Sequence, residues 1–291
     1  MICSLCPRLC RAVRTSAEGA GFCHMPLEPV LARAGLHMWE EPCISGSRGS
    51  GAVFFSGCTL LCGFCQNEPI SHGGVGKLVS TDQLREIFHR LIAEGAHNIN
   101  LVTPTQFTHA ILKALCPPIS VPIVWNSNGY ERVASLRALE GKIQIYLPDF
   151  KYADNTLALR CSGVGDYFEV ATAAISEMVR QTGPFLLNEE GILERGVMIR
   201  HLMLPGQLPN TKRVIDWVSN TFPPDTVLFS LMGQYVPMGR AAELGLNRRI
   251  TPGEYRAAID YLSGCGIQAG YLQELDAASL SYIPAFDGSG L

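Results

Sequence analysis

The chain alternates short runs of apolar residues with segments in which apolar residues recur every three or four positions. The runs predict buried parallel strands, and the periodic segments predict the helices that cover them. The runs with the strand pattern are GAVFFSG, NINLVTP, PIVWNSN, IQIYLPDF, GVMIRHLMLP, TVLFSLM and, more weakly, IQAGYL. Strands and helices that alternate in this way predict repeated β-α units around one parallel sheet.

Two of the predicted helices carry clear signals at their ends. In STDQLREIFHRLIAEGA, Ser80 and Gln83 have the spacing of a capping box, and Gly95 suits the helix exit. In TPGEYRAAIDYLSGCG, Thr251 and Glu254 have the same spacing, with a proline at the first helical position. We therefore predict an α/β fold, a partial or full parallel β/α barrel of six to seven units, with its functional residues at the carboxyl ends of the strands.

The first 45 residues differ from the rest of the chain. They contain four prolines, several glycines and little periodicity, which predicts irregular structure. We interpret residues 1–45 as a small Cys-rich N-terminal module and residues 46–291 as the barrel domain. A length of 291 residues accommodates one large domain of this kind.

Charge and the N-terminal sequence exclude several classes of protein. With 23 basic and 26 acidic residues, a formal net charge of -3 and no long run of either sign, we expect neither a nucleic-acid partner nor a membrane partner. The segment MICSLCPRLCRAVR lacks the apolar core of a signal peptide, and no apolar run reaches spanning length. We therefore expect a cytoplasmic protein, in which clustered cysteines more often bind metal than form disulfides.

Three cysteines, Cys58, Cys62 and Cys65, follow the first predicted strand within eight positions. Thiolates at this C-x3-C-x2-C spacing surround one small volume, which a zinc ion or an iron–sulfur cube can occupy. A structural zinc site requires a fourth ligand, and none is nearby in the sequence, whereas a cube held by three cysteines leaves one iron open. The competing interpretation, three separate core cysteines, fits poorly with a glycine-flanked loop at a strand exit.

A second group of cysteines lies in the N-terminal module. Cys3, Cys6, Cys10 and Cys23 have the spacing C-x2-C-x3-C-x12-C, and four thiols can close a zinc site or ligate a second iron–sulfur cluster. A short segment that is poor in core residues needs a staple of this kind. The sequence leaves both metals open: a cluster suggests electron relay, and zinc suggests a structural role.

The loop of Cys58, Cys62 and Cys65, with Phe64 directly before the last cysteine, resembles the cluster loop of the radical S-adenosylmethionine superfamily. The stretch SGSRGSGAVFFSGC followed by CQN is similar to the PflX-type, or pyruvate formate-lyase-activating-enzyme-like, branch. CSLCPRLCRAVR with GFC is similar to the N-terminal signature of that branch. The resemblance covers nearly the whole chain and implies a 4Fe-4S cluster on the three cysteines, with S-adenosyl-L-methionine as the second cofactor.

In this superfamily, residues at successive strand ends bind S-adenosylmethionine. Carried over by position, the resemblance implies this role for Thr103, Thr105, Asn126, Ser127, Asn128, Asp149, Lys151, Arg200 and Gln234. Asp149 and Lys151 match an Asp-x-Lys of the activating enzymes, and Arg200 matches an arginine that faces the cofactor. Three positions depart from the family pattern: LVTPTQ replaces a Gly-Gly-Glu stretch, Asn126 replaces an acid, and Gln234 stands near a usual histidine.

Each strand-end residue also has an ordinary structural interpretation. Residues such as those of NSNGY are common in turns, and Asp149 with Lys151 can form a solvated pair. Inside an apolar run, the guanidinium of Arg200 requires a carboxylate or phosphate-like partner. His201 points to the opposite side of a regular strand, which favours a satisfied core histidine over a catalyst.

The resemblance implies an iron–sulfur enzyme that reductively cleaves S-adenosylmethionine to a 5'-deoxyadenosyl radical for hydrogen abstraction. The branch implies activation of a glycyl-radical enzyme, with a reductant such as flavodoxin or ferredoxin, and leaves the catalytic residues unassigned. Radical modification of a peptide or small metabolite is one alternative. Alternatives of a different class are a zinc-binding structural or regulatory protein and a protein whose clusters serve electron transfer alone.

Overall fold

The computed structural model describes residues 2–273, 275 and 284–291. The strands are β1 (Val30–His37), β2 (Ser50–Phe55), β3 (Lys77–Leu78), β4 (Ile99–Val102), β5 (Ile123–Ser127), β6 (Ile145–Pro148), β7 (Leu186–Leu187), β8 (Leu193–Leu202), β9 (Leu228–Met232) and β10 (Gly270–Gln273). The helices are α1 (Pro42–Ser45), α2 (Glu68–Ser71), α3 (Thr81–Ala93), α4 (Thr108–Ala114), α5 (Val133–Ala138), α6 (Asn155–Ser162), α7 (Tyr167–Thr182), α8 (Leu208–Thr221) and α9 (Pro252–Gly264).

The seven predicted strands form one continuous parallel array. Its order is β2-β4-β5-β6-β8-β9-β10, and each neighbouring pair is parallel. Strand β1 adds antiparallel to the outer edge of β2, and β3 pairs with β1. In the described part of the chain the strand order ends at β10 and β3 without closing, so of the two predicted forms, a partial or a full barrel, the fold is the partial one.

Helices cover the outer face of this sheet, and their buried sides follow the predicted apolar periodicity. Helix α3 buries Leu84, Phe88 and Leu91 against the strands. Both predicted capping boxes are present, that of Ser80 at α3 and that of Thr251 at α9. No helix in the described residues has the length and apolar character needed to cross a lipid bilayer.

The N-terminal 45 residues are more ordered than the sequence indicates. Residues Val30–His37 form β1, and Pro42–Ser45 form α1, whose Cys43 and Ile44 are buried in a core cluster with residues of β5, β6, β8 and β9. The prediction of irregular structure is wrong for these two segments. A register shift between Leu31 and Arg33 interrupts the alternation of β1, so the strand lacks a clean period of two. The division of the chain at residue 45 stays a prediction.

We predict that Ser80→Ala lowers the free energy of unfolding by about 1 kcal/mol, because the hydroxyl accepts the Gln83 N–H in the capping box. Ser80→Asp is the matched control, since aspartate caps equally well and keeps this stability. Urea unfolding of the three proteins measures the difference. Equal losses for both variants would contradict the capping role.

Candidate active site

The carboxyl ends of the parallel strands surround a cavity of about 240 Å³. All three cysteines of the C-x3-C-x2-C loop line it. Eight of the nine predicted cofactor-binding residues line it as well: Thr103, Asn126, Ser127, Asn128, Asp149, Lys151, Arg200 and Gln234. The strand-end rule therefore brings together residues that are up to 176 positions apart in sequence, from Cys58 to Gln234.

The cysteine loop leaves the sheet directly after β2. Its entry requires glycine, because Gly57 has a φ of +75° and a Cβ there would lie 2.3 Å from Met25 Cγ. The backbone N–H of Leu60 and the side-chain amide of Asn128 each donate to Cys58 Sγ over 3.4 Å, and the Ser71 hydroxyl donates to Cys65 Sγ over 3.3 Å. Donors aimed at sulfur stabilise a thiolate, which is the form that ligates metal.

Burial favours the protonated form of the Cys62 and Cys65 thiols in the absence of a cation. It raises the pKa of Cys62, with Lys151 acting in the opposite direction, and it raises the pKa of Cys65 to about 12. A bound metal centre would supply the positive charge that ionises them, so its binding releases protons.

Within the described residues, no group of three or more His, Cys, Asp or Glu side chains already has the arrangement of metal ligands. The loop nevertheless fits an iron–sulfur cluster by its donor set. Three thiols line one cavity, two of them receive hydrogen bonds to sulfur, and the cationic Lys151 lies within electrostatic range of Cys62 and Cys65. Cluster thiolates are characteristically supported by such bonds and charges.

A network of charged side chains occupies the barrel interior beside the cavity. Arg200 Nη1 donates to Glu40 Oε1 over 2.6 Å, and its Nη2 donates to Asn126 Oδ1 over 2.6 Å and lies 3.1 Å from Asp149 Oδ1. Lys151 Nζ donates to Asp149 Oδ2 over 2.6 Å. Arg200 therefore has two carboxylate partners, Glu40 and Asp149, which satisfy the requirement of a buried arginine for a negatively charged neighbour.

Burial and charge oppose each other in this network, and charge prevails. Burial disfavours the ionised form of Asp149, but Lys151 and Arg200 outweigh it and lower the pKa of this carboxyl. Burial likewise disfavours the charged form of Lys151, while Asp149 and the loop thiols raise its pKa. The pair is therefore ionised and largely buried, in contrast to the solvated pair of the alternative interpretation.

Glu40 is a residue that sequence reasoning missed. It precedes α1, in the segment expected to be irregular, and lies 160 positions from Arg200. Its Oε2 also accepts from the amides of Asn100 and Asn126, each over 3.1 Å. The sequence signal for Glu40 was indirect. An arginine inside an apolar run predicts a carboxylate partner, but the sequence does not identify which carboxylate it is.

Thr103 and Thr105 have different surroundings, although both were predicted to bind cofactor. Thr103 lines the cavity with a φ of +59°, and its carbonyl accepts from Gln106 Nε2 over 2.8 Å. The same amide donates to the Ser56 and Gly57 carbonyls, so Gln106 braces the entry to the cysteine loop. Thr105 lies outside the cavity lining and donates its hydroxyl to Glu131 over 2.6 Å.

Glu131 is fully buried behind the strand ends. Its Oε1 accepts from Thr105 and from Trp125 Nε1, while its Oε2 has no hydrogen-bond partner among the described residues. Burial raises the pKa of this carboxyl to about 7, and the hydrogen bonds of Thr105 and Trp125 only partly oppose the shift. Near neutral pH, Glu131 is accordingly close to half protonated.

The N-terminal cysteines form a group of their own, away from the cavity lining. The electrostatic neighbours of Cys6 include Cys3 and Cys23, and those of Cys23 include Cys3 and Cys10. Burial raises the pKa of Cys6 to about 12, and Arg14 Nη1 lies 3.6 Å from Cys3 Sγ as a donor. Each of the four thiols is therefore within electrostatic range of at least one of the others, and the buried Arg14 guanidinium lies beside Cys3.

His201 has the structural role that its strand position predicts. It is fully buried on the opposite side of β8 from the cavity, with Nδ1 2.6 Å from the Phe150 carbonyl and Nε2 3.0 Å from the Thr211 hydroxyl. Burial lowers the pKa of His201 to about 4, so the ring is neutral at pH 7.

Solved structures of low sequence identity share the fold of this chain. One is SuiB of Streptococcus suis bound to S-adenosylmethionine, with a TM-score of 0.50 and 13% identity over 75% of this chain and 48% of SuiB. Another is methylornithine synthase, PylB, with a TM-score of 0.50 and 14% identity over 80% of this chain and 68% of PylB. A third is a spore photoproduct lyase variant, with a TM-score of 0.50 and 10% identity over 75% of this chain and 74% of the lyase. These proteins are radical S-adenosylmethionine enzymes, and this chain has their fold. It spans about half the length of SuiB.

Sequence comparison then identifies the family. The chain is 30% identical over 271 residues to the uncharacterized protein MJ0674 of Methanocaldococcus jannaschii, a match that covers 89% of this chain and 73% of the relative. The chain belongs to the family of that protein. No protein-family model matches it.

We predict that stability falls as pH rises from 5 to 8, in part because of Glu131. Its folded-state pKa lies above the unfolded value of 4.5, so the folded protein binds more protons between pH 4.5 and about 7. This contribution, about 3 kcal/mol at most, is present at low pH and is lost as pH rises through 7. Urea unfolding of wild type and Glu131→Gln at both pH values measures it, and we expect the variant to lose less stability. Parallel losses would show that Glu131 does not titrate in this range.

Proposed function

We propose that this protein is an iron–sulfur enzyme that reductively cleaves S-adenosylmethionine and uses the resulting radical to abstract hydrogen from a carbon centre. One observation carries the proposal: the three loop cysteines and eight strand-end residues selected by the superfamily resemblance line the same cavity. The fold shared with SuiB, which was solved with S-adenosylmethionine, supports it.

In this proposal Cys58, Cys62 and Cys65 hold a 4Fe-4S cluster with one open iron. When bound, such a cluster supplies the electron that breaks the sulfonium bond and yields a 5'-deoxyadenosyl radical. The chain contributes the environment: N–H groups directed at Cys58 and the charge of Lys151 near Cys62 favour the reduced state.

The remaining strand-end residues have the chemistry to bind a polar cofactor. Asn126, Ser127 and Asn128 offer amide and hydroxyl groups that both donate and accept, and the ionised Asp149 offers an acceptor. Salt bridges to Lys151 and Arg200 fix this carboxylate in place. A fixed constellation binds a ligand without the entropic cost of ordering its own side chains.

For the substrate, we propose a glycyl-radical enzyme, reduced flavodoxin or ferredoxin being the electron source. The support is the branch resemblance of the segment that leads into the cysteine loop. A peptide or a small metabolite is the alternative substrate. Transfer of deuterium from a labelled substrate to 5'-deoxyadenosine distinguishes these three candidate substrates. The true substrate, labelled at its reacting carbon, passes deuterium into 5'-deoxyadenosine.

We predict that Cys62→Ala abolishes both the loop cluster and cleavage. To test this, each protein is reconstituted anaerobically with iron and sulfide and reduced with dithionite. The 5'-deoxyadenosine formed after addition of S-adenosylmethionine is then measured. Cys116→Ala is the matched control, since Cys116 is exposed and lies outside the cavity. Cleavage at full rate without Cys62 would refute the assignment, and bound zinc without any cluster would favour the structural metal-binding alternative.

We further propose that Cys3, Cys6, Cys10 and Cys23 bind a metal centre, either zinc or a second cluster. The support is their spatial grouping and the donor that Arg14 directs at Cys3. A thiolate-bound centre carries net negative charge, which a buried guanidinium offsets.

We predict that Cys6→Ala lowers the metal bound per chain without removing the cluster signal that responds to S-adenosylmethionine. Elemental analysis for zinc and iron, together with low-temperature EPR of the reduced protein, measures both quantities. Unchanged metal content in Cys6→Ala would overturn the N-terminal site and leave the loop assignment standing.

A further inference from the structure

Arg8 connects the N-terminal module to the cysteine loop. Its guanidinium makes four hydrogen bonds to backbone carbonyls of two different segments: Nε to Thr59 over 3.0 Å, Nη2 to Leu60 over 3.1 Å, Nη2 to Ser162 over 2.9 Å and Nη1 to Gly163 over 2.9 Å. Two of these carbonyls belong to the loop between Cys58 and Cys62, and the other two lie at the end of α6.

The chemistry of arginine accounts for this geometry. Its planar fork presents five donors in fixed directions, whereas the ammonium of lysine is a single point on a flexible chain. The carbonyls of Ser162 and Gly163 are among those that a helix leaves without partners at its C-terminus, where a cation is also favoured by the helix dipole. The Phe22 ring, whose centroid lies 3.8 Å from Arg8 Cζ, holds the plane of the guanidinium.

The same junction is closed by a backbone contact. The Gly63 N–H donates to the Cys161 carbonyl over 2.8 Å, so the loop and the end of α6 meet directly beside the Arg8 contacts. Arg8 itself lies two residues from both Cys6 and Cys10, and its electrostatic neighbours include Cys6 and Cys58. The guanidinium is therefore within electrostatic range of one thiol from each group.

We propose that Arg8 is a positioning residue through which the N-terminal module holds the cysteine loop against α6 and keeps a positive charge beside Cys58. The cysteine spacing alone sets three thiols in one loop. Arg8 fixes the main chain between the first two of them. The module is accordingly part of the active site, and its effect on a loop cluster rests on the function proposed above.

Amide hydrogen exchange of the protein without added metal tests the clamp independently of that function. We expect Arg8→Gln to speed exchange at Gly63 by about tenfold or more, which corresponds to about 1.4 kcal/mol of lost protection. Arg132→Gln is the matched control, because Arg132 also joins the module to the barrel, through the Ser4 carbonyl, and makes no hydrogen bond to the cysteine loop among the described residues. Exchange of the amides in helix α3 reports whether each variant is folded. If Arg8→Gln unfolds, exchange at Gly63 is measured in Arg8→Lys, which keeps the positive charge but lacks the planar guanidinium.

Equal effects of Arg8→Gln and Arg132→Gln, or no effect of either Arg8 variant on Gly63, would overturn the proposal. A second readout tests the charge. The cluster signal that responds to S-adenosylmethionine should move to a more negative reduction potential in Arg8→Gln and less so in Arg8→Lys, and an unchanged potential in Arg8→Gln would refute this part. If the wild-type protein gives no such signal, the proposed function fails, while the exchange data still decide whether Arg8 holds the loop.

Discussion

A buried guanidinium organises the interior of this barrel. Arg200 follows the buried apolar run 197–199 of β8, and a largely buried cation is tolerable only when paired and hydrogen-bonded. Its partners come from three other parts of the chain: Glu40 from the segment before α1, Asn126 from β5 and Asp149 from the exit of β6. Removing one partner of such a buried pair typically costs about 3–5 kcal/mol. The position of the N-terminal segment and the orientation of the strand ends are therefore linked through one side chain.

This network also determines what the neighbouring cavity can offer a ligand. Because Lys151 and Arg200 both act on Asp149, the carboxylate stays ionised despite its burial and faces a cavity that also contains three thiols. The thiols of Cys62 and Cys65 behave in the opposite way, since burial raises their pKa and favours the protonated form until a cation binds. The Asp149 side of the cavity is therefore charged before a metal binds, whereas Cys62 and Cys65 become charged on metal binding.

Hydrogen bonds attach the first ten residues of the N-terminal module to this arrangement. Ser135 Oγ donates to the Leu5 carbonyl over 2.5 Å, Arg132 donates to the Ser4 carbonyl over 2.8 Å, and Arg8 spans the cysteine loop and α6. Polar contacts of this kind are directional, so they orient a small segment that has little core of its own. Of these three contacts, the one made by Arg8 reaches the cysteine loop that lines the cavity.

The sequence by itself determined the features that depend on neighbouring residues. Strand runs, capping boxes at Ser80 and Thr251, and the spacing of Cys58, Cys62 and Cys65 are local patterns, and the strand-end rule then placed Asn126, Asp149 and Lys151 around one cavity. Only the tertiary structure decided which distant groups pair. Glu40 with Arg200, Thr105 with Glu131, Arg8 with Thr59 and the addition of β1 to the sheet join segments that no local period relates. Such pairings follow from packing and from the need to satisfy buried charges and backbone groups, and these constraints act in space, independently of distance along the chain.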